Sequence, residues 1–277
     1  MVKVLNIFSL INKVCIITGG AGLLGTKHTE TVIEAGGTPV ILDIDDEKIN
    51  KVIMTLNKKY GKKVFGLNVD ITSKEALEAA KKAILKKYKR IDVLINNAAN
   101  NPKLDNKATL PTWMRLENFP LEMWNQDINV GLTGAFLASQ VFGFEMAKKK
   151  RGVILNISSE LGIIGPDQRI YRKKGLKENE QPVKPVTYPV VKSAIIGLTK
   201  YMATYWADKG IRINALCPGG VYNNQDDAFV KKLTNLIPLG RMADKDEYKA
   251  TILYLISDAS SYMTGSVVVV DGGRTAW

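Results

Sequence analysis

Four short apolar runs in the first hundred residues alternate with longer segments of helical length. The runs comprise residues 14–17, 39–43, 63–70 and 91–99. A short, continuous run rich in Val and Ile is typical of a strand buried on both faces, and parallel strands need a crossover of a dozen or more residues between them. The alternation therefore predicts an α/β fold, in which helices cover both faces of a doubly wound parallel sheet.

The second half of the chain continues this pattern and brings the expected number of strands to about seven. Further strands are predicted at 151–157, 211–217 and 267–270, and long helices at 121–149 and 188–209. No internal repeat or low-complexity linker divides the chain, so residues 1–277 are predicted to form a single domain. Two polar segments interrupt the pattern: a basic insertion at about 166–185 and a substrate loop at about 221–246.

The composition restricts the partners that are expected. A net charge of +12 could indicate a nucleic-acid partner, but the lysines are scattered over amphipathic segments without aromatic residues between them. We therefore expect solvated helix faces and no nucleic-acid partner. No window holds enough uninterrupted apolar residues to span a bilayer, and the N-terminal segment lacks a small-residue cleavage pattern. We expect no membrane association and a cytoplasmic location, with Cys15 and Cys217 as buried, reduced thiols.

The first predicted strand runs into a glycine-rich turn that precedes a helix. The turn contains Thr18, Gly19, Gly22, Leu23, Leu24 and Gly25. Glycines let the backbone approach a pyrophosphate, whose charge is met by the N–H groups and dipole at the helix start. Asp43 ends the second strand about 20 residues later, where a carboxylate can bind the adenosine ribose and repel a 2′-phosphate. The two features predict a Rossmann-type dinucleotide site that prefers NAD over NADP; an ordinary turn carboxylate is the alternative for Asp43.

Polar residues follow other predicted strands at the edge of a parallel sheet where ligands bind. Asp70 ends the third strand, Asn96 ends the fourth, and Ser158 and Ser159 follow the fifth. A hydroxyl at that strand end would face the same crevice as the glycine-rich turn. These positions are therefore candidates for contacts with a cofactor or substrate.

Tyr188 and Lys192 are four residues apart in a segment of helical length, so a helix would bring the phenol and the ammonium onto one face. A fixed cation close to a phenol favours the phenolate and lowers the pKa from its ordinary value of about 10. The pair could therefore serve as a general base, with a solvated surface pair as the alternative. No metal site is expected, because the only histidine, His28, falls on the first helix.

In order and spacing, the motifs resemble the classical short-chain dehydrogenase/reductase family over residues 13–273. The matching motifs are the glycine-rich turn, Asn96-Asn97-Ala98-Ala99, Ser158-Ser159 with Gly162, Tyr188 with Lys192, Gly210-Ile211-Arg212-Ile213-Asn214, Pro218-Gly219, and Thr264-Gly265 before Val270-Asp271-Gly272-Gly273. The resemblance implies that Tyr188 is the general acid/base, that Lys192 lowers its pKa and holds the nicotinamide ribose, and that Ser159 binds the substrate oxygen. Ser158 is expected to be a structural hydroxyl at the strand end.

The same resemblance implies an NAD-binding set drawn from the glycine-rich turn and the strand ends. Its members are Thr18, Gly19, Gly22, Leu23, Leu24, Gly25, Asp43, Asp70, Ile71, Asn97, Ala98, Ala99, Tyr188, Lys192, Pro218, Gly219 and Val221. The implied activity is hydride transfer between the nicotinamide and a secondary alcohol or ketone. Members of the family commonly pair through the Tyr188 helix and its neighbour, so self-association into a dimer or tetramer is expected.

Three departures from the family pattern distinguish this chain. Gly22 and Leu23 give the glycine-rich turn the spacing of the extended branch of the family. Gly131 stands at the position of the family's catalytic asparagine, and Asn129 would point about 200° away on an ideal helix. A water or another side chain is therefore expected to replace that asparagine. The third departure is a longer separation between Ser159 and Tyr188, which contains the basic insertion.

An insertion between two catalytic residues must leave and rejoin the fold beside the active site. Its Arg169 and Arg172 could bind a phosphate or carboxylate of the substrate, and Tyr222 is a further candidate contact; a tolerated surface loop is the alternative. Together with Gly131 and the C-terminal residues 271–277, the insertion resembles the branch found with bacterial surface-polysaccharide and nonulosonic-acid sugar biosynthesis. The expected substrate is thus sugar-like, with or without a phosphate or nucleotide group.

Two other classes of function remain open at this point. A non-catalytic NAD-binding sensor or assembly subunit would account for Gly131 and for Asn223 in place of the usual threonine after Pro218-Gly219. A nucleic-acid binder rests on the net charge alone. The complete set of serine, tyrosine and lysine favours the enzyme.

Overall fold

The computed structural model describes residues 3–61, 64–100 and 112–277, and a single seven-stranded sheet runs through its centre. The strands are β1 (Val14–Thr18), β2 (Thr38–Asp43), β3 (Phe65–Asn68), β4 (Val93–Asn96), β5 (Gly152–Ile157), β6 (Ile211–Pro218) and β7 (Val267–Val270). Their order is β3-β2-β1-β4-β5-β6-β7, and all neighbours are parallel. The chain reverses its direction of winding between β1 and β4, which is where such sheets bind ligands.

Helices cover both faces of this sheet, as the sequence pattern predicts. In the described residues they are α1 (Leu23–Glu34), α2 (Asp46–Tyr60), α3 (Lys74–Tyr88), α4 (Leu121–Lys148), α5 (Thr187–Tyr205), α6 (Asp227–Thr234) and α7 (Lys249–Ile256). Short 3₁₀ helices occur at Val4–Phe8, Thr112–Met114, Leu116–Asn118, Glu160–Gly162, Gln168–Tyr171, Glu178–Glu180, Ala207–Lys209 and Asp258–Ser260. The α/β, doubly wound fold class is therefore confirmed.

The strands are buried because each contributes apolar side chains to both faces. On one face, Ile16 and Leu94 pack with Leu77 of α3 and Phe142 of α4. On the other face, Ile17, Ile95 and Leu155 pack with Val32 of α1 and with Tyr248, Ile252 and Leu255 at or within α7. Alternate residues of one strand thus enter different cores, which explains why the strands are continuous apolar runs.

The long helix α4 combines core packing with two irregular segments. It has α-helical hydrogen bonding at both ends and π-helical turns at Asn129–Thr133 and Ser139–Gly143. By length and composition it could cross a membrane, but half of its apolar window is buried inside the protein. Ala138, Phe142 and Met146 lie in the core against the sheet. The apolar composition of α4 is therefore explained by its packing in the core.

The basic insertion packs against the segment 221–246, which includes α6. Ile170 is buried with Leu233, Ile237 and Met242, and the rings of Tyr171 and Phe229 lie 5.5 Å apart between centroids. Lys232 Nζ also donates a hydrogen bond to the Arg172 carbonyl. The insertion and the loop at 221–246 thus form one cover over the carboxyl end of the sheet.

Several boundaries differ from the sequence-based expectations. The helix predicted at 188–209 ends at Tyr205 and is followed by the 3₁₀ helix Ala207–Lys209, which closes on Gly210 in the left-handed region. Helix α7 was not anticipated, although it supplies much of one core. The sequence from Asn100 to Pro120, rich in Pro, Asn and Trp, predicts a loop over the site, but residues 101–111 lie outside the described residues.

Candidate active site

The glycine-rich turn lies at the carboxyl end of β1 and is tightly packed. Gly19 has a φ of +61°, and a Cβ there would lie 2.8 Å from the Ala98 Cα. A Cβ on Gly25 would lie 2.1 Å from the Gly19 carbonyl oxygen. Neither position can carry a side chain, so the backbone is held in a turn that exposes the start of α1, which begins after Gly22.

Two side chains fix this turn to the neighbouring strand β4. The Thr18 hydroxyl accepts hydrogen bonds from the Asn97 N–H at 3.0 Å and the Ala98 N–H at 3.2 Å. The Asn97 amide in turn donates to the carbonyls of Thr18 and Gly19 at 3.0 and 3.1 Å. The motif residues predicted to share a cofactor site are therefore brought together by direct hydrogen bonds.

Asp43 lies at the end of β2 beside the same turn. Its Oδ2 accepts a hydrogen bond from the Ala21 N–H at 3.0 Å, and its Oδ1 accepts one from the Ile44 N–H at 2.9 Å. The carboxylate is thereby oriented at the rim of the glycine cradle, where a dinucleotide ribose would lie. Asp45, by contrast, caps α2 by accepting from the Lys48 N–H, as expected of a turn carboxylate.

The remaining predicted cofactor residues line the same edge of the sheet. Asp70 is exposed and accepts from the Thr72 N–H, while Ile71 is buried against α4. Leu23 and Leu24 open α1; Ala99 follows β4; Pro218 and Gly219 end β6, and Val221 bridges to Ala243. The cradle, the strand ends and the carboxylate therefore fit a nicotinamide dinucleotide.

Ser159, Tyr188 and Lys192 meet beyond the end of β5. Ser159 is close enough to Tyr188 to lower the pKa of the phenol, and Lys192 Nζ donates a hydrogen bond to the Ile157 carbonyl at 2.8 Å. The Ser158 hydroxyl instead donates to the Lys192 carbonyl at 2.7 Å, so it supports the helix as a structural group. Pro189 is tolerated because α5 begins at Thr187, two residues before it.

The electrostatics of Tyr188 differ from the sequence-based expectation. Burial raises the Tyr188 pKa above its ordinary value, the hydrogen bond with Ser159 lowers it, and the nearby Glu160 raises it further. Lys192 Nζ lies 5.8 Å from the ring centroid, and burial lowers the pKa of this lysine to about 8. Burial is the largest cause, so the Tyr188 pKa lies above its ordinary value, whereas the spacing to Lys192 predicts a value below it.

A second lysine lies closer to the phenol than Lys192 does. Lys184, from the end of the basic insertion, places its Nζ 3.8 Å from the Tyr188 ring centroid. Burial lowers its pKa to about 8, whereas the neighbouring Glu160 raises it. Glu160 is itself buried, which raises its pKa to about 7. Tyr188 is thus flanked by two lysines and one carboxyl group that titrate near neutrality.

Arg169 and Arg172, proposed from the sequence as substrate contacts, form ion pairs within the insertion instead. Arg169 is paired with Asp167 through two side-chain hydrogen bonds, and Arg172 is paired with Glu178. Neither arginine lines the cavity beside Tyr188, although Lys184 from the same insertion does. Tyr222 is half exposed near the loop that precedes α6. The insertion therefore reaches the site through Lys184, which the sequence showed only as one of several basic residues.

Gly131 lies on α4 where it faces α5. A Cβ at this position would lie 2.5 Å from Val191 Cγ1, so Val191 fills the space of the missing side chain. One turn earlier, the buried Asp127 accepts a hydrogen bond from the Thr187 hydroxyl. A signal for Asp127 was present in the sequence, because it shares the buried helical phase of Gly131, Ala135 and Ala138, where a carboxylate is unusual.

The described residues contain no cluster of His, Cys, Asp or Glu side chains that could hold a metal ion. His28 is buried beside Asn97, and burial lowers its pKa to about 4. Cys15 and Cys217 are both buried and not bonded to each other.

Comparison with known proteins agrees with this geometry. A family model described as enoyl-(acyl carrier protein) reductase matches residues 21–275. An NAD-dependent glycerol dehydrogenase of Listeria innocua is 31% identical over 97% of this chain and 96% of its own length. A 3-oxoacyl-[acyl-carrier-protein] reductase of Thermotoga maritima is 33% identical over 94% of this chain and 97% of its own.

A solved structure shows the same fold. A gluconate 5-dehydrogenase from Burkholderia cenocepacia, in complex with NADP and tartrate, superimposes with a TM-score of 0.83 at 27% identity, covering 99% of this chain and 100% of the other. The chain belongs to the classical short-chain dehydrogenase/reductase family, whose members are oxidoreductases acting on CH–OH groups.

Proposed function

We propose that this protein is an NAD-dependent oxidoreductase that acts on a secondary alcohol or ketone of a polar, sugar-like substrate. The observation that carries the proposal is the convergence of Ser159 and Tyr188, with Lys184 and Lys192 beside the Tyr188 ring. This group lies at the same sheet edge as the glycine cradle, where a dinucleotide and a substrate can approach each other.

The roles of the side chains follow from their chemistry. A bound nicotinamide would supply the hydride acceptor in oxidation and the donor in reduction. In oxidation, the Tyr188 phenolate takes the proton of the substrate hydroxyl while Ser159 hydrogen-bonds the same oxygen. A positive charge as close as Lys184 or Lys192 stabilises the phenolate and so opposes the burial that raises the Tyr188 pKa. In reduction, the phenol returns the proton to the developing alkoxide.

The proposed substrate class is supported by the polarity of the site cover. Glu160 acts electrostatically on Tyr188 and Lys184, and Arg274 acts on Glu160, so a substrate entering there would meet charged and hydrogen-bonding groups. The names of two related proteins mention glycerol and gluconate, both of which are polyhydroxylated. A substrate with several hydroxyls, with or without a phosphate, matches this surface better than an apolar alcohol would.

The role of Tyr188 is tested by Tyr188→Phe, which removes the hydroxyl and keeps the ring. We expect turnover to fall by at least about 100-fold, the usual contribution of a general acid/base, with NAD binding retained. Glycerol, gluconate and a panel of hexoses and hexose phosphates would be screened for formation of reduced nicotinamide, and cofactor binding followed by fluorescence. The matched control is Tyr201→Phe, an exposed tyrosine on the same helix. Substantial activity in the Tyr188→Phe variant would contradict the assignment.

The cofactor preference is tested at Asp43. Its carboxylate lies beside the Ala21 N–H at the rim of the cradle, where it would repel a 2′-phosphate. We expect NAD to bind at least about 10-fold more tightly than NADP, and Asp43→Ala to narrow the gap, because the repulsion is worth one to a few kcal/mol. Titration of both cofactors into both proteins measures this. Equal affinity of the parent for NAD and NADP would show that Asp43 does not select the cofactor.

A further inference from the structure

Asp127 is a buried carboxylate with one oxygen that has no hydrogen-bond partner among the described residues. The residue is 6% exposed, and its Oδ2 is satisfied by the Thr187 hydroxyl. Its Oδ1 is fully buried and makes no hydrogen bond. Buried polar atoms are nearly always paired with protein or with an ordered water, so an oxygen of this kind points to a bound water or a functional role.

The unpaired oxygen belongs to a residue that lines a small cavity next to the catalytic group. The lining also includes Ala99, Asn100, Gly131, Lys184, Thr187, Tyr188, Val191 and Lys192. The cavity has a volume of about 10 Å³, which is the room needed by about one water molecule. Gly131 also lines this cavity, to which it contributes no side chain.

The proposed reaction creates a need for such a site. Each oxidation leaves the proton of the substrate hydroxyl on Tyr188, and the phenol must lose it before the next turnover. Tyr188 is buried, with Ser159 and the two lysines beside it. Among the side chains that line the cavity, Asp127 carries the carboxylate, whose oxygens can accept a hydrogen bond or a proton.

We propose that Asp127 is the positioning residue of a proton relay, in which it acts on Tyr188 through Lys192 and a water held in the cavity. The inference rests on the proposed function, because it requires Tyr188 to exchange a proton in each turnover. In oxidation, the O–H bond of the Tyr188 phenol breaks and its proton moves through the cavity to the Asp127 carboxylate. The neutral carboxylic acid then releases the proton to solvent, and the path runs in reverse during reduction.

The charged groups around Asp127 fit this role. Lys184 faces the cavity from the insertion, and Tyr188 and Lys192 face it from α5, while Gly131 and Asn100 bring no charge. Glu160 acts on Tyr188 from the side of Ser159. Two lysines therefore line the cavity together with Asp127, and the Thr187 hydroxyl fixes one oxygen of the carboxylate.

The relay is tested with Asp127→Asn, which keeps the shape of the side chain and can still accept the hydrogen bond from Thr187. We expect kcat to fall by about 10-fold or more, with an increased solvent deuterium isotope effect and partial rescue by imidazole, a small proton carrier. NAD affinity should be unchanged. Glu122→Gln removes the same charge from the exposed side of α4 and should behave as the parent does.

A second variant guards against a folding defect. Asp127→Leu replaces the buried carboxylate by an apolar side chain of similar size, a change that proteins often tolerate without loss of stability. It should show the same lower kcat and the same rescue. A parental kcat in the Asp127→Asn or Asp127→Leu variant would overturn the relay, and so would a lower kcat with neither a changed isotope effect nor rescue.

Failure of the relay and failure of the proposed function give different results. If Tyr188→Phe is inactive while Asp127→Asn turns over like the parent, only the relay is rejected. If Tyr188→Phe remains active, the proposed function itself is rejected, whatever the behaviour of the Asp127 variants.

Discussion

Glu160 shows how one side chain can tune the proposed acid/base group. It directly follows Ser159, is 7% exposed, and has a pKa raised to about 7 by burial. Asp271 raises this pKa further, whereas Arg274 and Lys184 lower it. When Glu160 ionises, its negative charge disfavours the phenolate, so it raises the pKa of Tyr188. The oxidation activity should therefore respond to the titration of Glu160 near neutral pH.

Glu160→Gln makes this side chain neutral at every pH. The pKa of Tyr188 should then be lower, because a nearby negative charge is removed. We expect the acid limb of kcat/KM for oxidation to move to lower pH by about half a pH unit or more, and an inflection near pH 7 to disappear. Glu180→Gln, in an exposed part of the insertion, serves as the control. An acid limb identical to that of the parent would show that Glu160 does not act on Tyr188.

Helices α4 and α5 pack closely against each other at Gly131. Its backbone passes so close to Val191 that a Cβ would lie 2.5 Å from Val191 Cγ1. Val191 is itself buried with Ala135 and Ile195, and its branched side chain has little rotamer freedom in a helix. The packing of Val191 in this position therefore depends on glycine at position 131.

Gly131→Asn should destabilise the protein because it overpacks this contact. We expect a loss of about 1–3 kcal/mol in the free energy of unfolding, measured with urea, and a partial recovery when Val191→Ala is added. Gly197→Ala is the control, since a Cβ at position 197 of α5 meets no atom within 4 Å. That control should be neutral or slightly stabilising. Additive effects of the Gly131 and Val191 changes would contradict the coupling.

For the molecule as a whole, the outer surface of α4 and α5 is unusually apolar. Tyr201 and Tyr205 are 64% and 62% exposed and stack on each other, and Val190 lies on the same face of α5. Phe136 and Phe144 are also exposed on α4. Aromatic residues grouped in this way are typical of protein interfaces, and both helices are those through which the family resemblance implies pairing.

We propose that the protein self-associates through this surface. Tyr201→Glu combined with Tyr205→Glu should convert the oligomer to a smaller species, because two charges would be buried without partners at the interface. Sedimentation or light scattering of parent and variant measures the change. Met54→Glu, an exposed apolar position on α2, should leave the assembly intact. A monomeric parent, or an oligomer unaffected by the two charges, would reject this interface.

The strands, their order along the chain and the cofactor motifs could be predicted from the sequence because each depends on residues that are close together in the chain. The continuous apolar runs of β1 and β5, the glycines of the turn at 19–25 and the four-residue spacing of Tyr188 and Lys192 depend on neighbouring residues. The helix predicted from 188 begins at Thr187, which places Pro189 in the first turn, where proline is acceptable.

The electrostatics around Tyr188 depended instead on contacts between distant parts of the chain. The insertion delivers Lys184 rather than its paired arginines to the phenol, and α4 delivers Asp127 to a cavity shared with α5. Burial, a property of the assembled core, raises the pKa of Tyr188 instead of letting Lys192 lower it. Local patterns thus determine which chemical groups the protein has, whereas tertiary packing determines which charges surround them, because desolvation and Coulomb interactions depend on distances in the folded chain.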